Sequence, residues 1–419
     1  MNVKPMSDYS VRSGEVAKLG KVEGELKVGR NVTIKAAQGQ RVVVTGAAYF
    51  QGKTTIDCEF ECQSMKVEGR GFGLAGNDVL VRGDLIVHGA ADIATSLHVE
   101  GNIRSGDIDV GGHLRSASLA SQRVRVGGHL TMKGRLEAET VDVGGHLSAL
   151  GGVELVNLRV GGHAEIGGGT ITGKIQVRGH LTTTEKLDYG QVQVFGHLRL
   201  PTGSSGERLS ALGKVEFEGD TACKFMEISG AARVRGSCTA ELVKVNGNLR
   251  VFGSLAVSKN LEVYGSAEVK QQLECDVLGV GGRLEAESIR VNGQADIVGE
   301  IATTRGLKAK SILVGKGSRV IGPIVGEQID IGKEMELGGD LWEHLWHPIR
   351  KMTEVEDVYG SVVRIGSNSI VKRVFGEVVE VEAGAAAEEL VYTNELKLPD
   401  NYHMNKPPLK IAKLPDWPL

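Results

Sequence analysis

The chain repeats itself every 17 residues: VRVGGHL begins at Val124, VDVGGHL at Val141 and LRVGGHA at Leu158. The unit is an apolar residue, any residue, an apolar residue, any residue, then glycine. It recurs as IQVRG at 175, VQVFG at 192, LSALG at 209, MEISG at 226, VKVNG at 243, LEVYG at 261, LGVGG at 278 and ADIVG at 295. ILVGK at 312 and IDIGK at 329 keep the apolar pair but not the glycine at that place. Upstream the phase is looser, in VVVTG at 42, MKVEG at 65, VLVRG at 79, LHVEG at 97 and IDVGG at 108. Off-grid units, VEFEG at 215 and IRVNG at 289, are expected if each turn carries more than one strand of this pattern. A fixed period over so many units defines a repeat architecture.

Val-x-Val has period two, which places both valines on one face of a strand. Three such residues cannot stand alone, so each unit must stack on its neighbours. In VRVGGHLTMKGRLEAET the inward pairs are Val124/Val126, Leu130/Met132 and Leu136/Ala138. They imply three short strands per turn, separated by two glycine-bearing corners and one polar corner. Glycine at a corner suggests backbone angles that other residues adopt only with strain. The expected fold is all-β: a triangular parallel β-solenoid of about 17 residues per turn, with turns ~4.8 Å apart. Helical repeats are excluded because they run about 33 to 47 residues with a 3.6 period. Six-residue repeats would close on about 18 residues, not this period.

Composition agrees with that interior. Glycine supplies 59 of 419 residues and aromatics only 4%, and Trp342, Trp346 and Trp417 all lie near the C-terminus. Val, Leu, Ile and Ala therefore fill the core. The formal charge of −3, without a long single-sign block, gives no support to a nucleic-acid surface. Cys58, Cys62, Cys223, Cys238 and Cys275 lack zinc-site spacing and read as small buried hydrophobes of a reducing compartment. MNVKPMSDYSVRSGEV contains no apolar leader core, and no run of 18 apolar residues occurs. A soluble cytoplasmic protein, with association to a membrane left open, is the expectation.

Along the chain, residues 1–20 read as a flexible tail and 21–333 as the main solenoid, on the order of 18 turns and about 85 Å long. LPTGSSGERLSALG (200–213) reads as a loop bulging from a corner. In 334–357, Leu341, Leu345 and Ile349 recur at helical spacing beside Trp342 and Trp346. That amphipathic stretch would cap the core, contact a membrane surface or dock a partner protein. SVVRIGSNSIVKRVFGE and VVEVEAGAAAEELVYTN suggest a short second solenoid segment over 358–395. Residues 396–419 form a Pro-rich tail, either an arm for a partner or a segment packed on the coil.

Two phosphate-loop likenesses fail on context. GFGLAG (71–76) is followed by strand-like NDVLVRGDLIV, and GAAYFQGKTT (46–55) has Ala47 where the first glycine is needed. The histidines are more informative. His113, His129, His146, His163, His180 and His197 each follow the repeat glycine, at steps of 16, 17, 17, 17 and 17. The leucine after each points inward, so each imidazole points outward, one rung per turn. Such a ladder is a stacked surface row, a metal-binding stripe, or a pH-sensitive element whose neighbouring charges repel. After His197 the equivalent place reads Asp220, Ala231, Asn248, Ser266 and Arg283. Asp109 and Asp142 read as lone solvated acids. No acid/base pair and no Ser/His/Asp or Cys/His set stands out, so no catalytic, cofactor or metal residue is assigned and the chain is not expected to be an enzyme.

KVEGELKVGRNVTIKAAQGQRVVVTG (21–46) and LHVEGNIRSGDIDVGGHL (97–114) carry a likeness of pattern over roughly 20–395. In this glycine-punctuated grammar the chain resembles the bactofilins, as a long variant. The resemblance implies a right-handed coil and nucleotide-independent polymerisation into cytoskeletal filaments. Unpaired strand edges at coil ends favour the same outcome. The expected function is thus a structural, self-associating scaffold or polymer whose main partner is itself. The alternatives are a β-helix binding scaffold that does not polymerise, or a subunit of an enzyme complex.

Overall fold

A computed structural model describes residues 6–68, 78–334, 352–400, 402 and 406–416. Among these the chain is all β, in parallel strands coiled at about 17 residues per turn, with about 22 turns in total and no helix. It divides into two compact units, Met1–Glu207 and Arg208–Leu419. GFGLAG (71–76), most of the amphipathic stretch, including Leu341, Trp342, Leu345, Trp346 and Ile349, and Trp417 lie outside the described residues.

In the first unit the repeat residues pair in register from turn to turn. Val124 lies against Val141, Val141 against Leu158, Leu158 against Ile175 and Ile175 against Val192. All five are almost fully buried. Burying one such side chain contributes about 1.5–3 kcal/mol, and each column repeats that gain at every turn. The second unit has the same construction, with Met226, Val243, Leu261, Leu278, Ala295, Ile312 and Ile329 in one buried column.

Through most of the first unit a turn contains two hydrogen-bonded strands rather than three, and in the last turns, such as Thr353–Ile365 and Ser369–Val381, a single long one. His129–Met132 has four residues and Leu136–Val143 has eight, and the polar corner at Glu139–Thr140 lies inside the longer one. Ala138, expected in the core, is only half-buried. A corner that bends without breaking the inter-turn ladder leaves its backbone groups paired, which is why polar residues suffice there.

The second glycine of each pair is required by proximity, not by unusual dihedrals. None of Gly128, Gly145, Gly162, Gly179 and Gly196 has a positive φ. A Cβ on Gly145 would instead run into the carbonyl oxygen of Gly128 one turn earlier, and Gly162 and Gly179 repeat the clash. The Gly128 oxygen also accepts the His146 amide at 2.9 Å, so the tight approach and the inter-turn hydrogen bond are one feature. At this corner the expectation of backbone angles that only glycine adopts fails, whereas Gly152 and Gly168 at other corners do adopt positive φ, at 93° and 128°.

Other corners are closed by side chains accepting an amide from the next turn. Asp8 Oδ1 accepts from Glu25 N at 2.7 Å, Asp84 Oδ1 from Asn102 N at 2.8 Å, and Asp220 Oδ1 from Ser237 N at 2.7 Å. Thr183 and Ser116 break the apolar rule. Both hydroxyls are buried in the core without a hydrogen-bond partner. Thr183→Val keeps the shape and removes the unpaired oxygen, so it is expected to raise stability by about 1 kcal/mol, read as a higher denaturation midpoint.

Three boundaries differ from those expected. Residues 1–20 include the strands Met6–Val11 and Val16–Leu19, paired in parallel with Lys21–Val28 and Val32–Ala36. Val11 and Leu19 are buried, so this stretch forms a coil turn and not a tail. Beyond the interruption no separate solenoid begins. Ile329 lies directly against Val363 and Ile324 against Val358, so the column resumes in register in the same unit. The strand Ala386–Lys397 extends past residue 395, and Leu409–Lys410, within the supposed tail, pairs with it.

Candidate functional surfaces

The six histidines open the short outward strands of the first unit, and parallel pairing sets each beside the next: His113 on His129, then His146, His163, His180 and His197. Successive ring centroids are 4.7, 5.8, 5.1, 6.1 and 5.7 Å apart. His146 and His163 are stacked with only 3° between their planes. Four rungs are exposed and two, His146 and His197, are half-buried. Beside them on the same face runs a second row, Arg115, Thr131, Ser148, Glu165, Thr182 and Arg199.

His113–His129 and His146–His163 are stacked, whereas His129–His146 and His163–His180 are tilted by 36° and 37° and His180–His197 meet edge-on at 64°. Among the described residues no group of three or more His, Cys, Asp or Glu is placed to hold a metal ion. In the second unit the post-glycine place reads Lys214, Ala231, Asn248, Ser266, Arg283 and Glu300. Asp220 therefore does not belong to that series. Its carboxylate closes a different corner, because the off-grid VEFEG unit supplies the short strand there.

Asp109 and Asp142 are not lone acids. They alternate with arginines in the outward row Asp109, Arg125, Asp142, Arg159, and Arg159 Nη1 lies 3.9 Å from Asp142 Oδ1. The strongest such ladders close the second unit. Asp330, Arg364, Glu380 and Lys397 occupy consecutive turns, with nitrogen–oxygen distances of 3.4, 3.0 and 2.6 Å. Arg373 holds Asp357 through two hydrogen bonds, at 2.7 and 2.5 Å. Sequence reading missed these ladders because their members, 16, 17 or 34 residues apart, change residue type and sign from turn to turn and so leave no repeated letter.

Lys397, and after it Arg364, hold the Glu380 carboxyl below its ordinary value of 4.5. A carboxyl depressed on folding adds stability above that ordinary value and loses it as pH falls further through the folded value. Glu380→Gln is therefore expected to flatten the fall in thermal stability between about pH 5 and pH 3. The difference at neutral pH is below about 1 kcal/mol, since the pair is partly solvated.

The remaining sequence candidates are structural. GAAYFQGKTT lies on the strands Arg41–Phe50 and Thr54–Ile56, with Phe50 fully buried and the Thr54 hydroxyl donating to Gly52 O at 3.1 Å. All five cysteines are buried, and burial pushes the thiols of Cys62, Cys238 and Cys275 up to about 12, far from thiolate reactivity. No helix among the described residues is long and apolar enough to cross a membrane.

The coil ends are the other candidate surface. Met6–Val11 pairs with Lys21–Val28 on one side, and no strand among the described residues pairs with its other edge. Val11 O accepts from Gly29 N at 2.9 Å, toward the following turn. Alternate residues of a strand direct their polar groups to opposite sides, so the Ser10 N–H and C=O face the open edge. Val16, in the same turn, is 67% exposed. No family model, no curated protein and no solved structure matches the chain.

Proposed function

We propose that the chain is a bactofilin-like structural scaffold that associates with itself, without nucleotide, through the ends of its β-helix, and that it acts in assembly and not in catalysis. The observation that carries this reading is the outer edge of Met6–Val11, with which no strand among the described residues pairs. An unpaired parallel edge is a template for another strand, and proteins that do not use one normally blunt it with proline, charge or a covering segment. Here the edge residues Asp8 to Ser10 include no proline, their one charge, Asp8, accepts the Glu25 amide of the following turn at 2.7 Å, and an exposed valine lies in the same turn. The bactofilin-like pattern of the sequence and the alternating-charge exterior, which keeps the flanks solvated, support the same reading. A cytoplasmic location accords with five buried unpaired thiols.

Sedimentation across a concentration and salt series, without nucleotide, tests it. The full chain is expected to run as more than one copy. Ser10→Pro removes an N–H that faces the open edge and leaves the bond from Val11 O in place, so it is expected to return the chain to single copies at unchanged melting temperature. A full chain that stays single at every concentration would refute the reading.

A further inference from the structure

We infer that Tyr402 and the stretch Leu409–Lys410 with Ile411 form a built-in cap that closes the edge of Ala386–Lys397 to a second copy of this chain, so that release of the cap switches assembly from pairs to polymers. The inference rests on the proposed end-to-end association and names its regulation. Three contacts carry it. Leu409–Lys410 adds as a parallel strand to the outer edge of Ala386–Lys397, with Leu409 against Val391 and Lys410 against Tyr392. Ile411 N donates to Tyr392 O at 2.9 Å, continuing that ladder. The Tyr402 hydroxyl accepts from the Ala387 amide at 2.9 Å, so a side chain occupies a donor that a further strand would use. Lys410 Nζ also lies 5.8 Å from the centre of the Tyr392 ring.

The core end is closed as well. Leu390 and Val391 are 1% and 5% exposed, although they belong to the last long strand of the unit. The segment that makes these contacts is itself a poor template. Pro407 and Pro408 immediately precede Leu409, and proline offers no N–H to another strand. The two edges are therefore unequal among the described residues: no strand pairs with the outer edge of Met6–Val11, and the edge at Ala386–Lys397 carries Leu409–Lys410. With one edge closed, copies meet only open edge to open edge, a self-complementary contact that ends at two copies. With both open, the edge of one kind on one copy can pair with the edge of the other kind on the next, and that contact does not close.

The test uses the full chain carrying Tyr402→Phe and Ile411→Pro together, compared with the unaltered chain by sedimentation and negative-stain electron microscopy without nucleotide. Polymers from the double variant, with pairs from the unaltered chain, are the expected result. Equal polymerisation of both chains, or pairs from both, would overturn the cap while leaving association through the ends intact. Single copies from both would overturn the cap and the proposed function together. Tyr402→Phe alone guards against a double variant that does not fold. Exchange of the Ala387 amide should become roughly five- to tenfold faster at unchanged melting temperature. An amide as protected as before would overturn the cap by itself.

Discussion

Gly145→Ala is expected to destabilise the first unit by about 3 kcal/mol or more, while Gly144→Ala, one residue away, changes it by less than about 0.5 kcal/mol. Neither glycine has a positive φ, so conformational freedom does not separate them. Space does. At Gly144 a Cβ would meet only Val126 O, at an ordinary 3.6 Å, and later turns of the same unit carry Arg178 and Phe195 at this corner place. At Gly145 a Cβ would enter the Gly128 carbonyl, which must stay close because it holds the His146 amide. Relief of the clash pushes two turns apart along their whole length, lengthening hydrogen bonds and loosening Leu130 against Leu147. Chemical denaturation of both variants decides the matter. Equal losses would mean that close approach to the Gly128 carbonyl is not what selects glycine here.

Phe60→Ala should cost about 3–5 kcal/mol in the same unit. Phe60 is buried between Val42 and Leu85 on neighbouring turns, and its ring meets Phe50 edge-on at 5.8 Å. Most core places hold a Val, Leu or Ile, and Phe50 and Phe60 are among the largest fully buried side chains. Neighbouring strands are tied on both sides by the ladder, so the walls cannot collapse into the space left by alanine. Phe60→Leu, by contrast, leaves a smaller void and should lose less than half as much. If the two variants lost equal stability, the rigid-wall account would be wrong.

The parts of this fold that were legible in the sequence are those carried by period. Valine pairs at 17-residue intervals define the columns, and the glycine-histidine dipeptides define the ladder before any coordinates. What was not legible depends on distance between turns. Gly144 and Gly145 are identical letters, and only the Gly128 carbonyl beside the second tells them apart. Val16–Leu19 is too short to show alternation, and its place in a turn comes from pairing with Val32–Ala36. The return of Val363 to the column of Ile329 falls two 17-residue steps on, but the step between reads WHPIR at 346, without the repeat unit, so nothing local joins the two. The cap is the extreme case, since a two-residue strand has no period at all.

The uniform ladder also has a mechanical meaning. Each turn is tied to its neighbours by backbone hydrogen bonds and by one layer of core, with no strand reaching across several turns. A pull applied to one end of a unit therefore loads one turn at a time and shields the rest. Each turn that peels away frees about 17 residues, about 55 Å of extended chain. A force trace should show evenly spaced small steps, so such a coil yields gradually under tension where a globular domain of equal length would snap.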